Sequence, residues 1–154
     1  MDKELRRRVS RGKMAVGHLE GCGALIYCRE TQRYLFLLRA NHKHRDSWGL
    51  AGGKIESNET VATALVREIN EEIGLDVSAY KLRPLEKFTS DDGGFVYHTL
   101  MIVVDHEFSP QLNHEHRGYC WVPLDCYPRP LHPGVWRTFS FDAVVKKIRT
   151  VEGL

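Results

Sequence analysis

Glu68, Glu71 and Glu72 crowd into little more than one helical turn beside Arg67, inside the run Gly53 to Leu75, GKIESNETVATALVREINEEIGL. Val61, Ala62, Leu65, Val66, Ile69 and Ile73 recur in the same run at three- and four-residue intervals, which predicts a helix over Thr60 to Ile73. At roughly 100° per residue, the three glutamates fall in one fan roughly 100° wide, beside the apolar arc and not opposite it. They therefore meet at the edge of a core, where like charges repel more strongly than in open water. Arg67 can relieve Glu71 one turn on, which leaves two charges unmatched. A hard divalent cation suits clustered carboxylate oxygens, and Mg²⁺ binds through one or two carboxylates together with substrate phosphates. A solvated acidic face would use the same residues without a metal, and the helix alone does not separate the two readings.

The flanking residues shift the balance. Ser57 or Asn58 is the expected N-cap, Glu59 places an acid at the positive end of the helix dipole, and Gly74 supplies the stop. Upstream, Trp48-Gly49-Leu50-Ala51-Gly52-Gly53 leads into the run, and its glycines let backbone approach a metal or phosphate closely.

With Gly53, Glu59, Arg67, Glu68, Ile69, Glu71, Glu72, Gly74 and Leu75 all in place, the run resembles the signature box of the Nudix hydrolase family. The resemblance implies an α/β fold, an α/β/α sandwich around a mixed β-sheet. It also implies a pyrophosphohydrolase that cleaves a nucleoside diphosphate linked to another moiety, with Mg²⁺ or Mn²⁺ as cofactor. By the same resemblance Glu71 and Glu72 ligate the metal, Glu68 binds metal or positions water, and a carbonyl near Gly52 completes the site. Family members often draw a further glutamate from a loop ahead of a Trp-bearing strand, and Glu115, six residues before Trp121, fits that place. Many relatives carry proline where Ala51 stands, so a less stiff loop is expected here.

Other elements must hold these residues. Gly17 to Cys28 and Tyr34 to Arg39 read as two strands of a hairpin around the polar turn Arg29 to Arg33, both mid-sheet with both faces covered. Asn41 to Asp46 is a basic loop from which Arg45 is a candidate phosphate contact. Leu82 to Thr89 and Phe95 to Val104 are strands around the turn Ser90 to Gly94. Alternation puts Phe95, Tyr97, Thr99, Met101 and Val103 on one face, and Tyr97 and His98 are candidate contacts for a base or ribose. Gly118 to Val122 is a further strand, the four prolines from Pro123 to Pro133 predict irregular chain, and Phe139 to Val151 is a closing amphipathic helix. Two helices in all are expected.

Length and composition fit one domain over residues 1–154: 42% of residues are apolar and the net charge is +2. Residues 1–13 form a basic arm, with Lys3, Arg6, Arg7, Arg8, Arg11 and Lys13 against Asp2 and Glu4. A frayed terminus and a nucleic-acid arm are both open for it. No apolar run suits a membrane span, and Cys22, Cys28, Cys120 and Cys126 form no C-x-x-C pair, so a cytoplasmic protein with buried free thiols is expected.

The expected reaction is attack of water on phosphorus in a P–O–P bridge, with Glu68 or Glu115 as general base, Arg67 orienting the glutamates and bracing helix to loop, and Glu59 structural. ADP-ribose or another nucleotide sugar is slightly favoured as substrate. A dinucleoside polyphosphate, a nucleoside triphosphate, an RNA 5′ end, and a non-catalytic nucleotide sensor remain open, as does a homodimer.

Overall fold

In the computed structural model, which describes residues 19–154, the run Leu19–Cys28 forms the central strand β1, buried from Gly21 to its end. The basic arm, 1–13, and the first two residues of the expected strand lie outside the described residues. Burial on both faces explains why β1 reads as continuous apolar chain. Along one edge it pairs antiparallel with β2 (Arg33–Arg39) and with β4 (Ala51–Lys54). Along the other it pairs parallel with β6 (Phe95–Val104), which pairs antiparallel with β5 (Arg83–Thr89). β3 (Trp48–Gly49) and β7 (His116–Val122) attach to β2, giving a mixed sheet of seven strands.

Period-two alternation splits β1 between two cores. Cys22, Ala24 and Ile26 pack with Leu65, Ile69 and Ile73 of helix α1 (Val61–Ile73). Leu25 and Tyr27, with Phe36 and Met101, pack with Val144 and Ile148 of helix α3 (Asp142–Glu152). Helices thus cover both faces of the sheet, the α/β/α sandwich expected from the resemblance.

Three expectations need correction. The N-cap of α1 is Thr60, not Ser57 or Asn58: Thr60 Oγ1 accepts from Thr63 N at 3.1 Å, and Thr63 Oγ1 accepts from Thr60 N at 2.9 Å. This reciprocal pair satisfies two otherwise orphaned donors, and Glu59 falls just outside the helix with no acid in the first turn. Two helices follow Pro123, α2 (Pro133–Phe139) and α3, so three α-helices are found among the described residues. Pro133 sits near the start of α2, where its missing N–H costs no hydrogen bond, and extended Phe141 separates α2 from α3. The run Trp48 to Gly53, read as a loop, is largely paired as β3 and β4, and Ala51 is buried opposite Ala24. Strand pairing stiffens it without a proline.

All four cysteines are free, but only Cys22 and Cys28 are buried, and Cys126 is exposed. No helix among the described residues is long and apolar enough to cross a membrane.

Candidate active site

Glu72 is the anchor of the carboxylate cluster. It is 1% exposed, where α1 lies against β4, and its Oε1 accepts from Gly52 N at 3.0 Å. Burial pushes its carboxyl well above the usual range, and the neighbouring Glu115 and Glu68 push it further, against the pull of the Gly52 N–H. Glu68 is also raised by burial, with Arg67 opposing and Glu71 and Glu115 adding to the rise. Glu71 differs: its side chain is 54% exposed at the rim. The fan read from the helix is present, with Glu72 buried, Glu68 half-buried and Glu71 exposed.

Arg67 ties this cluster to the chain before the helix. Its Nε and Nη2 donate to the Glu59 carboxylate at 2.7 and 2.8 Å, its Nη2 to Lys54 O at 3.0 Å, and its Nη1 to Glu68 at 3.0 Å and Glu71 at 3.4 Å. The guanidinium holds Glu59 down to about 2, a second oxygen of that carboxylate being shared with Glu56 N. Arg67 therefore pairs chiefly with Glu59, and its contact with Glu71 is the longest of the set. Two glycines make the arrangement possible. A side chain on Gly53 would land inside the Glu68 carboxylate, and one on Gly52 would land on the Cys22 carbonyl oxygen of β1. Gly52 serves the close approach of two strands, a different reason from the open access to ligand that the sequence suggests. Gly74, with φ of 71°, closes α1 in the left-handed conformation and donates to Asn70 O.

Glu115 reaches the cluster from the loop ahead of β7. Asn113 sets its position: its Nδ2 donates to Glu71 O at 3.1 Å while its Oδ1 accepts from Glu115 N at 2.9 Å. The Glu115 carbonyl accepts from Ala40 N at 2.8 Å. Asn113 was not singled out from the sequence, and no periodic signal marks a loop residue that grips a helix end.

The donor set fits Mg²⁺ or Mn²⁺. Glu68, Glu71, Glu72 and Glu115 offer only oxygen, the donor type a hard divalent cation prefers. Among the described residues, no three acidic, imidazole or thiol groups form a preassembled cage. Among the described residues Arg67 is the cation paired with the cluster's acids, and it lies at the Glu59 side.

A cleft of about 680 Å³ opens on the opposite face of the sheet and meets the cluster at Gly52 and Gly53. Its floor crosses four strands abreast, and two rows follow from the registers. One runs Gly52, Gly23, Thr99, Glu86, and the other Lys54, Gly21, Tyr97, Phe88. The Tyr97 ring fills the space that side chains at Gly21 and Gly23 would occupy. Phe95 stacks beside it, centroids 6.1 Å apart, and Phe88 lies 6.2 Å from Phe95. Arg39, Lys43, His44 and His132 line the wall near Gly49 and Leu50. Burial, Arg39, His44 and Lys43 together hold the His132 imidazole down to about 4.

Tyr97 thus lines the cleft, whereas its neighbour His98 does not. Strand alternation turns His98 to the α1 face, where Nε2 lies 2.7 Å from Glu20 Oε2. Arg45 is exposed and absent from the lining, which takes Lys43 and His44 from the same loop. Phe95 shares the Tyr97 face as alternation predicts, whereas Arg137 above the aromatic wall has no place in the sequence reading because α2 is not foreseen there.

Fold and cleft define a class, and the chain belongs to it: a NUDIX domain family model matches residues 18–141. It is a pyrophosphohydrolase, and its curated relatives are named for such reactions. Over 113 residues the chain is 30% identical to dihydroneopterin triphosphate diphosphatase of Haemophilus influenzae, covering 64% of this chain and 70% of that protein. Over 106 residues it is 28% identical to human 8-oxo-dGDP phosphatase NUDT18, covering 69% of this chain and 33% of that one, so it spans a third of that relative's length. A MutT NUDIX hydrolase from Burkholderia pseudomallei superposes with a TM-score of 0.63 at 25% identity, covering 84% of this chain and 97% of that one.

Proposed function

We propose that the protein hydrolyses a P–O–P bridge in a nucleoside triphosphate or diphosphate bearing a fused, oxygenated heterocycle. The observation that carries this is the junction of two unlike halves at Gly52 and Gly53: a buried carboxylate cluster on one side, and a cleft floored by aromatic rings on the other. The names of the relatives, which pair triphosphates or diphosphates with pterin and oxidised guanine, support it over the ADP-ribose preference drawn from the sequence.

Glu68, Glu71 and Glu72, with the Gly52 carbonyl, would hold Mg²⁺ or Mn²⁺, which when bound supplies positive charge for the phosphate oxygens. Glu115 takes the proton of the attacking water. It stands outside the helix on the Asn113 clamp, whereas Glu68 is held by Arg67. The water oxygen forms the new P–O bond, the bridging P–O bond breaks, and its electron pair leaves with the departing phosphate or pyrophosphate. Lys54, Arg39 and Lys43 stand at the glycine end, where they attract the phosphate chain.

The test is turnover of dihydroneopterin triphosphate, 8-oxo-dGTP, dGTP and ADP-ribose with Mg²⁺ or Mn²⁺, read as pyrophosphate, phosphate and monophosphate. Fastest release from a triphosphate supports the reading. Fastest cleavage of ADP-ribose returns the choice to nucleotide sugars.

A further inference from the structure

Arg137 stands at the end of the cleft farthest from the carboxylates. It projects from α2 over Phe88, its Cζ 3.9 Å above the ring centroid, and its Nη1 lies 3.3 Å from Glu86 Oε2. Glu86 is itself fixed by Thr138 Oγ1, which donates to Oε1 at 2.8 Å. Phe88 lies below the guanidinium, Phe141 has its ring centroid 5.6 Å from Cζ and the carboxylate stands beside it, and among the described residues Nε and Nη2 have no protein acceptor. Those two N–H groups are parallel, the geometry that recognises two adjacent acceptors at once. Three strand spacings separate Phe88 from Lys54 along the floor, roughly 14 Å at about 4.8 Å each. The cations for the phosphates lie at the glycine end, so Arg137 meets the other end of the ligand.

We propose that Arg137 is a specificity-determining residue: its Nε–H and Nη2–H bind a ring carbonyl oxygen and the adjacent unprotonated ring nitrogen of the substrate's heterocycle. The proposal rests on the hydrolase reading above and narrows its substrate class. Guanine presents this acceptor pair as O6 and N7, and a 7,8-dihydropterin presents it as O4 and N5. 8-Oxoguanine carries a hydrogen on N7 and adenine an amino group in place of the carbonyl, so each sets a donor against a donor. The ring plane lies over the Phe95 and Tyr97 wall, and Arg137 reads its edge.

Guanosine monophosphate and its 7-deaza analogue differ by replacement of N7 with C–H, and neither needs to be hydrolysed. Calorimetric titration of the metal-loaded protein is expected to give roughly tenfold weaker binding of the 7-deaza compound. The gap should close in Arg137→Met and in Arg137→Lys, which keeps the charge but loses the fork. Circular dichroism checks folding, and Arg137→Lys decides the matter if Arg137→Met is unfolded. Equal affinities in the wild type, a gap that survives in both variants, or no binding of either nucleotide at millimolar concentration overturns the proposal. Turnover of dGTP is followed in parallel. A gap without cleavage of dGTP leaves this inference standing and removes dGTP from the proposed substrates, and cleavage without a gap removes this inference alone.

Discussion

Arg67 and Arg137 have side chains of nearly equal exposure, 31% and 30%, one among the carboxylates and the other at the far end of the cleft. Arg67 commits its donors to Glu59, Glu68, Glu71 and the Lys54 carbonyl. Arg137 commits one, to Glu86, and lies over Phe88 in the lining of the cleft. On the function proposed above, the first bridges the acids at the reacting end and the second reads the ligand at the recognising end. Chemistry at fixed geometry belongs to the first end and choice of ligand to the second, so substitutions at the two should separate along kcat and KM.

The largest effect is expected at the carboxylate end. Glu72→Gln should lower turnover by about a thousandfold, since the amide lacks the charge while still accepting from Gly52 N. Its thermal midpoint should hold or rise, because a repelled buried carboxylate is gone. A variant that unfolds or remains active would dissolve the distinction between chemistry and scaffold there. Next comes Gly52→Ala, whose added carbon collides with β1 backbone and should cost about 3 kcal/mol in urea titration. Gly53→Ala meets a side chain instead and should mainly displace Glu68, with a loss of about tenfold in kcat.

Stability then divides the two arginines. Arg67→Met should cost about 2 kcal/mol by urea unfolding, because charged hydrogen bonds to Glu59 and Glu68 are lost. Arg137→Met should cost less than about 1 kcal/mol, as its ion pair is single and long. Equal costs would refute the contrast.

The smallest effect is in acid. Arg67 holds Glu59 down to about 2 in the fold from 4.5, so on acidification the unfolded chain takes that proton first. The stability it contributes is complete above pH 4.5 and is lost as pH falls toward 2. His132 is held down to about 4 from 6.5, chiefly by burial, so stability is also lost as pH falls from 6.5 to 4. Thermal midpoints of Arg67→Met should lose the lower of these two slopes and keep the upper one.

The sequence carried the carboxylate end better than the recognising end, for physical reasons. Helix α1 and strand β6 carry a hydrophobic period, β1 and β2 continuous apolar runs and β5 a flanking turn signal, and these patterns locate them. β3 and β4 span two and four residues and are too short to show a period. Pro133 reads as a breaker in isolation, yet it begins α2, and with α2 unread Arg137 had no address. His98 was paired with Tyr97 as a ligand contact, although the alternation that faced Tyr97 to the cleft already turned His98 away. Glu115 was reached only through resemblance, because the grip of Asn113 on the end of α1 leaves no periodic trace. Arg45 belongs to a basic loop whose charge is legible in the sequence but whose direction is not.

The ring of Tyr97 lies where β1 has no side chains of its own, over Gly21 and Gly23. Depth at that point is therefore set by one interchangeable plug and not by the strand beneath it. Exchanging Tyr97 for leucine or alanine would excavate the trough without touching a main-chain pairing, so one codon can resize the chamber while the catalytic apparatus stays as built.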